Sequence, residues 1–168
     1  MQASPRAGKR VLILLAEDDP GDQELTRRAL QGKVLRTDLR IVENGEELLD
    51  YLYRRGAYAA PDAAPRPDLI LLDLNMPRMG GREVLARLKH DPALCRIPIV
   101  VLTTSSQETD IVRSYDLGCN SYIQKPVDIE QFIQVVQQLE NYWFEVVTLP
   151  PAVEEEPATS AGAICPGL

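Results

Sequence analysis

The stretch ILLDLNMP, residues 70–77, carries an apolar run into a single aspartate, Asp73, and then into a turn marked by Pro77. Taken with the residues before it, PDLILLDLN at 67–75, the run offers no alternation that would turn one face to water. Such a strand belongs inside a parallel sheet, whose two faces are both covered by helices. Outward from it lie four runs of similar length: VLILLAED at 11–18, LRIVEN at 39–44, IPIVVLTT at 97–104 and NSYIQKP at 120–126. Segments with helical spacing separate and follow them: DQELTRRAL, GEELLDYLYRR, GREVLARLK, TDIVRSYDL and, from Asp128, DIEQFIQVVQQLENYW. Strand and helix alternating five times predicts a doubly wound α/β fold with one five-stranded parallel sheet, because parallel strands need helical crossovers. Sites in such sheets lie at the carboxyl ends of the strands.

Composition narrows the function. The 168 residues suit one domain with a modest extension, and we expect a short tail over 1–8, the domain over 9–149 and a disordered Pro-, Ala- and Glu-rich tail over 150–168. Ala- and Pro-rich residues 56–67 read as an extended, mobile loop. Apolar residues make up 45%, no run is long enough to cross a bilayer, and MQASPRAGKR lacks the apolar core of a signal peptide, so a cytoplasmic protein without membrane attachment is expected. Cys95, Cys119 and Cys165 are odd in number and not in CxxC spacing, which predicts reduced thiols and no zinc site. The net charge of −7, with no basic stripe, argues against a direct nucleic-acid partner. A single histidine, His90, at the end of a helical pattern, excludes a multi-histidine metal centre and leaves an exposed helix end as its reading.

The strand ends bring chemistry together. The first run ends at Glu17-Asp18-Asp19, the third at Asp73, the fourth at Thr103-Thr104 and the fifth just before Lys125-Pro126. Asp19 before Pro20 reads as a helix cap. Three carboxylates held together repel one another unless a cation sits among them, and hard oxygen ligands at an open site suit Mg²⁺. With metal present, Asp73 can act as a nucleophile toward a phosphoryl group, while the Lys125 ammonium and Thr103 hydroxyl meet the charge on its oxygens.

In order and spacing, LLAEDDPGD, LILLDLNMPRMGG, VVLTTSS and SYIQKP resemble the response-regulator receiver domains of two-component signalling, over about residues 9–145. The resemblance implies a (βα)5 flavodoxin-like receiver fold with Asp73 as phosphoacceptor. Asp18 would be a direct metal ligand, with Glu17 acting through water and Asn75 through its backbone carbonyl. Thr103 and Tyr122 would be the switch pair, Lys125 the catalytic lysine, and Lys125–Pro126 a cis peptide. Glu17 stands where many members carry aspartate, and Thr104 where many carry a smaller residue. Too little chain follows the fifth helix to fold as an output domain, which implies a stand-alone receiver whose only catalysis is its own phosphoryl transfer and autodephosphorylation. AEDDPGDQEL, the long loop before the third strand and FEVVTLP further resemble receivers paired with phytochrome-type histidine kinases, so the implied partner is a sensor kinase of bacteriophytochrome type. A phosphatase of the haloacid dehalogenase type would need a second acid two residues after the nucleophile, and that position is Asn75. A pseudo-receiver conflicts with the presence of Asp18, Asp73, Thr103 and Lys125 together.

The last helical segment carries more apolar residues than one stripe needs. A homodimer through Phe132, Val135, Tyr142, Trp143 and Phe144 is therefore expected; the alternative is that the extension folds back over its own domain.

Overall fold

The computed structural model describes residues 10–31 and 37–150. The expected tails, 1–8 and 150–168 apart from Pro150, lie outside these residues, as does Cys165. In chain order the elements are β1 (Val11–Ala16), α1 (Pro20–Leu30), β2 (Thr37–Val42), α2 (Gly45–Leu52), β3 (Leu69–Leu72), α3 (Gly81–His90), β4 (Ile99–Thr103), α4 (Glu108–Asp116), β5 (Ser121–Gln124) and α5 (Ile129–Asn141). The strands form one sheet in the order β2-β1-β3-β4-β5, all pairs parallel. From β1 the chain winds outward to β2 and then crosses back to β3, so a crevice opens beyond the carboxyl ends of β1 and β3.

The apolar run at β3 has a direct cause. Side chains alternate across a strand, so Leu69 and Leu71 enter the core beneath α1 and α5, while Ile70 and Leu72 enter the core beneath α2 and α3. Both faces are covered, and no residue of β3 is more than 1% exposed. The edge strands β2 and β5 are mostly half-buried, because an outer strand has a neighbour on one side only. No helix among the described residues is long and apolar enough to cross a membrane.

Helix ends follow local chemistry. Asp19 caps α1 by accepting from the Asp22 N–H at 2.8 Å, and Pro20 opens the helix, which therefore starts before the periodic segment DQELTRRAL. α2 stops at Leu52, short of GEELLDYLYRR, where Arg54 and Gly56 take left-handed backbone angles of 53° and 57°. The segment 56–67, expected as a mobile loop, is tied to the domain instead. Tyr58 donates to Glu47 at 2.6 Å, Tyr51 donates to the Pro65 carbonyl at 2.8 Å, and Ala64 is buried. Aromatic hydroxyls seek partners when their rings are packed, and here they clamp the loop. The thiol expectation also needs correction, since Cys95 is disulfide-bonded while Cys119 is free and buried. An odd cysteine count without CxxC spacing does not exclude one bridge.

The extension after α5 follows the fold-back alternative. A π-helical turn, Tyr142–Val146, continues the helix, and Trp143, Phe144 and Leu149 join Phe132, Val136 and Leu139 in the core beneath α1 and α5. Phe132, Trp143 and Phe144, expected at a dimer contact, are thus buried within their own chain, since burying these large side chains against the sheet removes their apolar area from water without a partner. Val135 is half-buried, and Tyr142 remains 53% exposed.

At the N-terminus of α3, Gly81 lies so close to the end of β3 that a Cβ there would meet the Asp73 carbonyl oxygen at 2.3 Å and the Leu74 Cα at 2.9 Å. Both are backbone atoms of the chain that presents Asp73. We expect Gly81→Ala to lower stability by about 1–3 kcal/mol through overpacking. Gly80→Ala, whose Cβ would sit 3.4 Å from the Leu74 carbonyl oxygen, should cost far less. Thermal unfolding of the two variants side by side checks this, and equal midpoints would refute the close approach.

Candidate functional site

Four strand ends meet at one edge of the sheet. Glu17 follows β1, Asp73 follows β3, Thr103 ends β4 and Lys125 follows β5. The backbone ladder continues past the strands to hold them: the Asp73 N–H donates to the Ala16 carbonyl at 3.1 Å and the Lys125 N–H to the Thr103 carbonyl at 2.7 Å. Carboxylate oxygens of Glu17, Asp18 and Asp73 lie within 4.8 Å of one another; Glu17 and Asp73 are buried, and Asp18 is exposed. Lys125 is buried beside them. Its ammonium donates to Glu17 Oε2, to Asp22 Oδ2 at 2.9 Å and to Asp73 Oδ2 at 3.3 Å.

The electrostatics follow from that packing. Burial pushes the Glu17 carboxyl up to about 7, and its hydrogen bond to Lys125 and that lysine's charge draw it back only in part. For Lys125 burial works against the charge, yet hydrogen bonds to Asp22 and Glu17 and the charge of Asp73 hold the ammonium above the ordinary lysine range. One cation thus faces four nearby acids, Glu17, Asp18, Asp22 and Asp73. The excess of hard oxygen donors, with Asp18 open to solvent, fits a divalent cation.

Asp22 was not singled out from the sequence. It lies in the first turn of α1, which the Asp19-Pro20 cap sets directly over the end of β1, and an acid three residues after a cap at a strand end is the signal that could have found it. Asp19 itself serves as the cap expected of it. His90 also behaves as expected, exposed at the end of α3 with its Nδ1 2.7 Å from the Ala86 carbonyl oxygen. Asn75 is exposed in the turn after Asp73, and its N–H donates to Asp73 Oδ1 at 3.2 Å. The Lys125–Pro126 bond is not cis, contrary to expectation, as no cis peptide occurs among the described residues; the trans isomer is intrinsically the lower in energy before proline.

Thr103 is fully buried, and its Oγ1 has no hydrogen-bond partner. Such a hydroxyl costs about 1–3 kcal/mol when left unmatched, which marks a place for an incoming acceptor. Two residues beyond it, the Ser105 carbonyl accepts from the Tyr122 hydroxyl at 2.8 Å, and the Ser105 hydroxyl donates to Asp110 at 2.6 Å. Asp110 also accepts from Arg82 Nε at 3.2 Å. The loop after β4 is therefore held by β5, α3 and α4 together.

The family profile described as "Response regulator receiver domain" matches residues 13–137. The chain belongs to that family. Response regulator Rcp1 of Synechocystis sp. is 43% identical over 141 residues, covering 84% of this chain and 94% of Rcp1. Among solved structures, the phosphorylated cyanobacterial phytochrome response regulator RcpA is 45% identical with a TM-score of 0.81, covering 85% of this receiver and 100% of RcpA. The Mn²⁺-bound form of Rcp1 is 42% identical with a TM-score of 0.79, covering 84% and 99%. The receiver's relatives thus include phytochrome response regulators, and its acidic cluster is of the kind that binds divalent metal.

A divalent cation at the acidic cluster would compete with a proton on Glu17. Its pKa is raised on folding from the ordinary 4.5 to about 7, so in the metal-free receiver its contribution to stability is fully present below the ordinary value and is lost as pH rises to about 7. Divalent affinity should move oppositely, because ligands bind deprotonated. We expect Mg²⁺ affinity to weaken by up to about tenfold per pH unit below the Glu17 value and to level off above it. Calorimetric titration across pH checks this; a flat affinity through the acid range would remove Glu17 from the cation site.

Proposed function

We propose that the chain is a phosphorylation-switched signalling protein that takes a phosphoryl group onto Asp73 from the phosphohistidine of a sensor histidine kinase, with Mg²⁺ held by Asp18, Asp73, the Asn75 carbonyl and, through water, Glu17. The observation that carries this reading is the buried Lys125 ammonium, drawn to Asp73 on a strand end where acids outnumber cations. In the step itself an Asp73 carboxylate oxygen attacks phosphorus, the phosphorus–nitrogen bond breaks, and the electron pair leaves on the imidazole. Bound Mg²⁺ supplies charge neutralisation at the phosphoryl oxygens. Lys125 turns from the carboxylates toward the same oxygens, and the Thr103 hydroxyl gains the acceptor it lacks. Slow attack by water on the acyl phosphate resets the protein.

Thr103, drawn toward the phosphoryl group, pulls the loop whose Ser105 carbonyl holds the Tyr122 hydroxyl, so Tyr122 reorients and changes the outer surface of α4, β5 and α5. The likeness to RcpA and Rcp1 supports a phytochrome-type kinase as the donor. The net charge of −7 supports a protein partner rather than nucleic acid, and the same reading puts the protein in the cytoplasm.

The test is labelling with phosphorylated kinase. Asp73→Asn should abolish acid-labile label, and beryllofluoride should shift Tyr122 and Ser105 signals in NMR of the wild type but not of Thr103→Ala. Full labelling of the Asn variant would sink the assignment of Asp73, and wild-type shifts in the Thr103 variant would sink the coupling.

Homodimerisation belongs to the same reading, moved to what folding leaves outside: Tyr142, 53% exposed, and Val146, 72% exposed, beyond the half-buried Val135 on α5. A second copy meeting this strip about a two-fold axis covers the same groups on both sides. Light scattering across micromolar concentrations should give a dimer that Tyr142→Arg converts to monomer; a wild type that stays monomeric throughout refutes it.

A further inference from the structure

At the end of the sheet opposite Asp73 a cavity of about 700 Å³ lies between the start of β1, the segments leading into β3 and β4, and the end of the C-terminal extension. Nothing in the phosphoryl chemistry uses it. Three arginines, Arg10, Arg66 and Arg96, line it beside Pro65, Pro67 and Pro98. Arg10 and Arg96 are exposed and have no ion pair among the described residues. Arg66 donates from Nη1 to the Ala93 carbonyl at 2.8 Å, and burial lowers its pKa. Two acids also line the cavity, but both are engaged: Asp68 accepts from the Leu12 N–H at 2.9 Å, and Asp38 pairs with Arg40 at 3.3 Å. The cavity wall is mostly apolar, and although Asp91 acts on Arg66 through its charge, Arg10 and Arg96 have no ion pair among the described residues.

The chain itself leads into this place. Thr148, Leu149 and Pro150 form part of the cavity wall, and the residues that follow read Pro151-Ala152-Val153-Glu154-Glu155-Glu156-Pro157. An extended chain gains about 3.3–3.6 Å per residue, so Glu154 stands within about 14 Å of Pro150. We infer that this acidic run docks in cis into the cavity, its carboxylates against Arg10, Arg66 and Arg96 and its Ala152-Val153 and Pro157 against the proline-lined wall. Arginine forks donate bidentately to carboxylates, which suits a run of three acids better than point charges would. Exposed ion pairs are individually weak, yet a short tether raises the run's effective concentration to the millimolar range, enough to keep such a site filled. The docked run fastens the extension that carries Trp143 and Phe144 onto the base of the sheet, and an acidic segment of another protein would have to displace it.

The experiment uses the full chain, labelled with ¹⁵N, with reductant present so that the Cys95 disulfide plays no part. Glu154→Gln, Glu155→Gln and Glu156→Gln together should shift the amides of Val11, Leu12 and Ile97 and the arginine Nε–Hε signals, leaving those around Asp73 in place as evidence of an intact fold. Raising salt to about 1 M should move the wild type toward the same positions, because the Debye length shrinks to about 3 Å. A synthetic peptide of residues 151–163 added to the triple variant should restore the wild-type positions, and its all-Gln counterpart should not. Superimposable spectra of wild type and variant, or shifts indifferent to salt, would overturn the docking. In a Tyr142→Arg background, arginine Nε–Hε positions that change with protein concentration would overturn its being in cis.

Discussion

The ammonium of Lys125, buried among the carboxylates of Glu17, Asp22 and Asp73, is the constraint on which the rest of the structure depends. A buried cation is tolerable only when its partners are close and fixed, and a buried acid cluster is tolerable only with a cation inside it. The lysine follows β5, and its three partners arrive from three other places: the end of β1, the first turn of α1 and the end of β3. The strand lengths and register are set accordingly, so that β1 and β3 stop level with one another and their ladder runs on to the Asp73 N–H. Even the closeness of α3 to β3, with no room for a Cβ at Gly81, belongs to this requirement, since Asp73 leaves its strand at that point.

The sheet divides the labour between its ends. Its interior, apolar on both faces, fixes positions to a fraction of an ångström and has no chemistry of its own. The carboxyl ends carry an excess of negative charge around one lysine, whereas the amino ends carry Arg10, Arg66 and Arg96 around a cavity. The acidic cluster and the arginine-lined cavity thus sit at opposite ends of one sheet. Beyond the sheet, the loop after β4 is pinned where Ser105 is held by Tyr122 and Asp110.

The five alternating elements and the strand-end residues Glu17, Asp18, Asp73, Thr103 and Lys125 were legible because each follows a short apolar run whose period and ending are local properties of the chain. Asp22 was not, since its importance comes from how the first turn of α1 sits over β1, a tertiary fact signalled only by the Asp19-Pro20 cap. The loop over 56–67 looked like an appendage because proline and alanine carry no information about partners, and its anchors, Tyr51 and Glu47, lie on a preceding helix. Apolar periodicity also cannot say which copy of a chain covers an apolar face. Trp143 and Phe144 satisfy the pattern equally as a dimer contact or as core, and the π-helical turn that swings them inward has no signature in hydropathy.

That same turn bears on how a local charge event could reach the outside. Trp143 and Phe144 close the core that α5 shares with α1, and α1 carries Asp22, one of the three carboxylates on Lys125. On the proposed function, an ammonium drawn from Asp22 to a phosphoryl oxygen would release the tie between α1 and the end of β5. A packed core does not deform gradually, so α1 and α5 respond together or not at all. The second route, through Thr103 and the Ser105–Tyr122 contact, acts on the other face, where α4 borders β5. The two routes begin at one lysine and one hydroxyl less than a strand apart in the sheet, joined by the bond from the Lys125 N–H to the Thr103 carbonyl. Under the proposed function a single event at Asp73 would bear on both sides of β5 at once, and a partner that touches α4, β5 and α5 together would distinguish two such states more sharply than one that touches either helix alone.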